Sequence, residues 1–215
     1  MSGIPQQIQD NSKVAELESR KGLYRFFQYV FNKELDQLML SQLKNPDLAG
    51  VCNILELDTS ELDKDDPDNL EKMAVEYTKL FIGPGKHISP HESVQRKTGG
   101  MLNNKFTAEV RRFYAASGYK FNPDKGIYPD HLCTELEFME SLINIQINAL
   151  NSDDMGETES AKMLQEEFMR LHISQWVPEF CELIIEKTGS TFYRKLARAL
   201  SEFIEFEEQQ LDQVH

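Results

Sequence analysis

Apolar residues recur at three- and four-residue intervals through nearly all of the chain, the period of a helix with one buried face. Over residues 12–31, Val14, Leu17, Tyr24, Phe27 and Phe31 share a face, with Ser12 or Asn11 as the expected N-cap. A second helix is predicted over 33–44 on Leu35, Leu38, Met39 and Leu43. Pro46 opens a third, with Leu48, Val51, Cys52 and Leu55 inward. The run "DTSELDKDDPDN" (58–69) reads as an acidic loop whose Asp66 to Asp68 start a helix through Leu70, Met73, Tyr77, Leu80 and Phe81.

The second half follows the same period. A helix over 104–117 carries Phe106, Val110, Phe113 and Tyr114, and a turn-rich loop follows at 118–130. Residues 130–150 hold two apolar stripes, one of Leu132, Leu136, Met139, Ile143, Ile147 and Leu150, the other of Phe138, Leu142 and Ile145. A helix apolar on two sides is buried on both, so this one is expected at the centre of the fold. After the polar break "NSDDMGETES" (151–160), a long helix over 160–187 carries Leu164, Phe168, Leu171, Trp176, Phe180 and Ile184, with a kink expected at Pro178. Trp176, the only tryptophan, lies on that stripe and is expected in the core. The last helix, 190–212, buries Phe192, Leu196, Leu200 and Phe203. No period-2 strand and no 20–50-residue repeat is visible. The expected fold is all-α: a single-domain helical bundle over 1–215.

Composition narrows the function classes. With 215 residues and 40% apolar content the chain can bury a substantial core. Its formal charge of −13 argues against nucleic acid, which is bound by neutralising phosphates with Lys and Arg, and favours a basic partner. Three dispersed cysteines (Cys52, Cys133, Cys181) suit reduced thiols better than a disulfide framework. The N-terminal stretch is polar with no secretory h-region, and no window of eighteen apolar residues offers a transmembrane segment. A cytoplasmic protein is expected.

One stretch breaks the helical pattern, "LFIGPGKHISPHESV" (80–94), with two glycines, two prolines and two histidines. It is not a phosphate loop, because the spacing fails and Pro84 has no N–H to offer a phosphate. His87 and His91 are four apart, but Ser89-Pro90 forbids the helix that would bring them to one face, and no second pair completes a tetrahedral metal set. No nucleophile elbow is present, and Glu135 and Glu137, two apart on a helix, diverge rather than form a carboxylate dyad. Asp130 stands where a helix N-cap would, after Pro129. His131 is expected in the first turn, where the positive helix end favours a neutral imidazole. A long Pro/Gly loop between aromatic-rich helices, with Phe81, Ile82, Ile88 and Val94 of its own, is a common form for a binding surface.

Four runs carry a resemblance: Glu76-Tyr77-x-x-Leu80-Phe81-x-Gly83-Pro84, Ser89-Pro90-x-Glu92-Ser93-Val94, Pro129-Asp130-His131-Leu132-x-x-Glu135, and His172-x-x-x-Trp176-x-Pro178-x-Phe180. In this order, over about 76–180, they resemble the TorD/DmsD family of maturation chaperones for exported molybdoenzymes. The resemblance implies a helical fold that can domain-swap, with a hinge near 151–160, hence a monomer or a domain-swapped dimer. It implies no catalysis and no cofactor. The implied partners are a twin-arginine leader peptide and the apo-molybdoenzyme, TMAO/DMSO reductase-like. The implied peptide-binding residues are Tyr77, Leu80, Phe81, Gly83, Pro84, Pro90, His91, Glu92, Ser93, Asp130, His131 and Glu135. A basic leader with an apolar stretch calls for carboxylates beside an apolar groove, and Glu92, Asp130 and Glu135 beside Leu80, Phe81 and Pro90 are expected to supply them. The DmsD branch has Pro-Pro and then an aromatic where this chain has Pro90-His91, which leaves a TMAO-reductase-like or other client open. No motif for guanine nucleotide is present. The competing class is a metal- or nucleotide-dependent enzyme using His87, His91 and His131.

Overall fold

Helices supply the whole framework. The computed structural model describes residues 6–57, 62, 67–97, 100–122 and 126–212. The helices are α1 (Gln6–Phe31), α2 (Gln37–Leu43), α3 (Pro46–Ile54), α4 (Pro67–Phe81), the single turn α5 (Glu92–Gln95), α6 (Lys105–Ala116), α7 (Leu132–Asn151), α8 (Met155–Leu171), α9 (Val177–Lys187) and α10 (Thr191–Asp212). A 3₁₀ turn, Ile173–Gln175, joins α8 to α9. No strand forms among the described residues, only one antiparallel bridge between His91 and His131. No described helix is long and apolar enough to cross a membrane.

The two-striped helix is central, as its pattern predicts. α1 and α8 pack along α7, and α9 packs on α10. Leu132, Leu136, Phe138, Met139 and Ile143 of α7 are 0% exposed, and Phe138 meets Phe168 edge-on at 4.7 Å between ring centroids. Trp176 is 1% exposed, inside the core as predicted. A buried network ties α1, α7, α8 and α10 together. Arg20 donates twice to Glu207 (2.8 and 2.7 Å) and once to Gln165, Gln165 donates to Gln146, and the Tyr24 hydroxyl donates to Glu207. Bidentate geometry is what makes a buried arginine–carboxylate pair tolerable.

Several predicted boundaries move, for identifiable reasons. α1 begins at Gln6, so Asn11 and Ser12 lie inside it rather than capping it; the sequence from 6 to 21 has no glycine or proline to stop a helix. α2 starts four residues later than predicted because the Asp36 carboxylate accepts from Met39 N (2.8 Å) and fixes the start there. Leu38 and Leu171, placed on apolar stripes, are 63% and 37% exposed. Most of the acidic loop, with Asp66, lies outside the described residues. The long helix of 160–187 is in fact two helices. The chain turns at 172–176, so Pro178 sits in the first turn of α9, where its missing N–H costs no hydrogen bond, and no kink results. The polar break contracts to Ser152–Asp154, with Asp153 at φ +55 and the Asp154 side chain capping α8 through Glu157 N (2.9 Å).

Candidate functional site

α4 ends in a tight turn. Ile82 N and Gly83 N both donate to Thr78 O (2.9 and 2.6 Å), and a Cβ on Gly83 would stand 3.2 Å from that oxygen, so glycine suits the approach. Ile88 N then donates to Leu80 O (2.6 Å) and buries the Ile88 side chain, which folds the loop back on α4. Behind it the loop is tied to the start of α7. Glu92 N donates to Asp130 O and Leu132 N to Pro90 O, each 2.9 Å.

The capping differs from the sequence expectation. Asp130 does not cap α7; its Oδ2 accepts from Ser93 N (2.9 Å) and caps α5. His131 is the N-cap of α7, its Nδ1 accepting from Cys133 N (3.1 Å). With Nδ1 accepting, a neutral ring carries its proton on Nε2. Burial pushes the His131 imidazole down to about 3, helped by the neighbouring His91 ring and opposed by Asp130. His91, its ring 4.9 Å from His131 and its Nδ1 3.0 Å from the Ser89 hydroxyl, is also lowered by burial. A neutral His131 was expected from the helix end, but desolvation is the larger cause.

The carboxylates turn inward. Glu92, Asp130 and Glu135 are each 0% exposed. Glu92 accepts from Arg96 (2.7 Å) and sits 2.9 Å from His172 Nδ1, while Arg96 also donates to Leu171 O and lies 4.4 Å over the Phe106 ring. Glu135 accepts from the Trp176 indole N–H (3.0 Å). Burial, and next the charge of Glu92, hold the Glu135 carboxyl well above the usual carboxylate range, so it keeps its proton and lies beside Glu92 as an acid. The carboxyl pair absent at Glu135/Glu137 is therefore formed by Glu135 with Glu92. Glu76, of the first run, accepts from Thr188 Oγ1 and Gly189 N (2.7 and 2.6 Å) and holds the turn between α9 and α10.

These contacts correct the expectation that Glu92, Asp130 and Glu135 supply carboxylates to a surface groove. Tyr77, Leu80, Phe81 and Ser93 are buried as well; the Tyr77 hydroxyl donates to Phe31 O (3.0 Å) and Phe81 stacks on Phe180. Of the twelve predicted residues, Pro84 is exposed, and Gly83, Pro90 and His91 are half-buried. His87 is exposed, apart from the His91–His131 ring pair. Among the described residues no three His, Cys, Asp or Glu side chains converge as metal ligands.

An open groove of about 720 Å³ lies against the loop. α4 forms one wall with Glu71, Ala74, Val75 and Thr78; Gly83–Lys86 and Lys187 close one end, and Glu34 contributes from the α1–α2 connection. Val75 (59% exposed) and Glu71 were not singled out from the sequence. The available signal was Val75 itself, an apolar residue off the Met73/Tyr77/Leu80 stripe of α4.

The comparisons agree with this architecture. The chain matches the family described as nitrate reductase delta subunit over residues 44–182. It is 26% identical over 199 residues to the chaperone protein TorD of Vibrio parahaemolyticus, covering 86% of this chain and 91% of that one. It is 32% identical over 137 residues to a chlorate reductase assembly chaperone protein of Ideonella dechloratans, covering 63% and 68%. Among solved structures, a redox enzyme maturation protein from Archaeoglobus fulgidus superposes with a TM-score of 0.54 at 24% identity, over 86% of this chain and 93% of that one, a likeness of fold. The matched span contains the loop after α4, the Asp130 and His131 caps and the Glu92–Glu135 pair, and this chain belongs to the nitrate reductase delta subunit family, alongside the TorD chaperones.

Proposed function

We propose that this protein is a maturation chaperone for an exported molybdoenzyme, TMAO/DMSO reductase-like. In this reading it works in the cytoplasm, as a monomer or a swapped dimer, holding the twin-arginine leader and the apo form until cofactor insertion is complete. Membership beside proteins named as TorD and reductase-assembly chaperones supports the chaperone role. The observation that carries leader binding is the groove, an exposed and mostly apolar channel beside Leu80, Gly83 and Pro84 with a stiff frame behind it. A leader's apolar stretch needs an apolar floor, and a floor on a helix backed by a packed core loses little entropy when it binds. The enzyme reading gains no support. Glu92, Glu135 and His172 face one another or the core, and neutral His131 is occupied as a cap.

The test is calorimetric titration of the purified chain with a synthetic twin-arginine leader, beside co-purification and identification of the client. Val75→Asp should weaken leader binding roughly tenfold or more, since burying a valine contributes about 1.5–3 kcal/mol, while the melting temperature holds. Undiminished binding by this variant places the leader elsewhere; no binding by the parent chain rejects the leader reading.

A further inference from the structure

Charge is distributed unevenly along this chain. Residues 93–120 hold six Lys or Arg against the single Glu109, a net +5 in a chain of −13, so the remainder carries −18. The first part of this segment forms one small surface. The turn that leads into α6 is pinned from behind, where Asn104 Nδ2 donates to Met101 O (3.0 Å) and to Ser93 O (2.9 Å). Asn104 Oδ1 accepts from Phe106 N (2.9 Å) and caps α6, while Gly100 and Asn103 take the positive φ angles +80 and +59. The turn so held leaves two apolar side chains in water, Met101 (73% exposed) and Leu102 (46%).

Leu171, at the end of α8 and also exposed, belongs to the same surface. Arg96 donates to its carbonyl (2.9 Å) while the Arg96 guanidinium covers the Phe106 ring. Three cations frame these apolar side chains. Lys97 follows Arg96, Lys105 opens α6 with its ammonium 4.8 Å from the Phe106 ring, and Arg170 precedes Leu171. All three are exposed and make no ion pair among the described residues, whereas Arg96 is taken by Glu92. The acidic side chains Glu109 and Glu167 stand one helical turn away from Lys105 and Leu171.

A folded partner needs a matching surface of about 800 Å² a side, which a projecting tip of two or three side chains does not offer. A lipid surface needs no matching pocket. Apolar side chains enter the boundary between headgroups and acyl chains, and each Lys or Arg nearby is attracted by anionic headgroups. Charges are screened over about 8 Å at physiological ionic strength, so the acidic excess elsewhere on the chain acts weakly and the charge of the patch itself decides. We propose that the Met101–Leu102 turn, with Leu171, Lys97, Lys105 and Arg170, is a docking site for an anionic membrane surface. The contact is peripheral and reversible, because one apolar tip and a few cations hold far less firmly than a spanning helix. It stands apart from the leader reading, since the patch is built by α5, α6 and α8 and the groove by α4 and the loop after it.

The experiment is flotation of the purified chain with vesicles of equal parts phosphatidylcholine and phosphatidylglycerol, beside vesicles of phosphatidylcholine alone. The parent should bind the mixed vesicles on the order of tenfold more tightly, and high salt should remove the difference. Met101→Asp/Leu102→Asp and Lys97→Glu/Lys105→Glu should each weaken binding to the mixed vesicles on the order of tenfold or more. All four positions are exposed, so the melting temperature of each variant should match the parent. A polarity-sensitive dye on Met101→Cys reports the contact directly, since Cys52, Cys133 and Cys181 are buried and escape labelling. It should shift to the blue on the mixed vesicles. The same dye on Met155→Cys, an exposed position at the other end of α8 and about 24 Å from Leu171, should not. No vesicle binding by the parent, equal binding by both double variants, or a shift at Met155 alone overturns the docking site. If the parent ignores vesicles and binds a soluble peptide of alternating Glu and Leu through the same four positions, the patch serves an acidic protein partner and the lipid reading is rejected. None of these outcomes bears on the groove, which the leader titration tests separately.

Discussion

Two acidic regions lie close to the same loop and differ in almost every physical respect. At the α5–α7 junction Glu92, Asp130 and Glu135 are fully buried and partnered by Arg96, His172, the Ser93 N–H and the Trp176 indole. In the groove Glu34 and Glu71 stand in water with apolar side chains between them. Buried carboxylates with internal partners make a frame rigid and specific, whereas exposed ones can change partners at little cost. The comparison teaches that the dense motifs of this chain build mostly the frame behind the groove, while much of its wall, Glu34, Glu71, Ala74 and Val75, falls on residues with no motif.

The sharpest way to break this contrast is to damage the frame. Trp176→Ala removes a fully buried indole and leaves Glu135 without its donor. It should destabilise by about 3–5 kcal/mol, read as a fall in the denaturant midpoint; an unchanged midpoint would place Trp176 outside the core. Glu92→Ala leaves Arg96 and His172 facing an empty position. A loss of about 3 kcal/mol is expected, in the range for breaking a buried ion pair, and a loss below about 1 kcal/mol would mean the junction is solvated after all.

The protonation states provide a finer test. Glu135 keeps its proton in the folded chain and releases it in the unfolded one, so its contribution to stability falls as pH rises above the ordinary carboxylate range. Glu135→Gln keeps an acceptor for the indole N–H and an N–H for Glu92 without that proton. It should match or exceed parent stability at pH 7, by up to about 1–2 kcal/mol, with an advantage that shrinks toward pH 4. His131 has the opposite sign. Its folded pKa of about 3 lies below the ordinary value near 6.5, so the unfolded state binds the extra proton and stability is lost as pH falls from about 6.5 toward 3. His131→Asn, which still caps α7, should flatten the acid limb of the melting curve relative to the parent; an identical limb would show that His131 is charged in the folded state. The smallest effect belongs to the groove. Glu71→Ala should change stability by less than about 0.5 kcal/mol while weakening the leader, and a large stability loss would erase the difference between the two regions.

Much of the fold could be read from the chain because helical periodicity is local. The apolar stripes of α1, α4, α7 and α10 place those helices and identify α7 as central, with no knowledge of its neighbours. The errors fall where a distant group decides. Asp130 has the chemistry of an N-cap in either role, but the nearest free N–H in space belongs to Ser93, 37 residues away. Residues 172–176 continue the apolar pattern of α8, yet His172 pairs with Glu92 and Trp176 with Glu135, and the chain turns between them. The site was half-legible for the same reason. Gly83 and Pro84 mark the turn beside the groove by their own backbone preferences, whereas Glu71 and Val75 look like ordinary helix-surface residues until the loop and Glu34 are set beside them as the other walls of the groove.

The sequence by itself determined the helices, the central position of α7, the turn after α4 and the absence of a phosphate-loop motif, because each follows from spacing within a few residues or from backbone preference. Only the tertiary structure decided which carboxylates face water. That choice depends on pairs such as Glu92 with His172, 80 residues apart, and on desolvation, which a side chain acquires from the elements packed around it rather than from its neighbours in the chain.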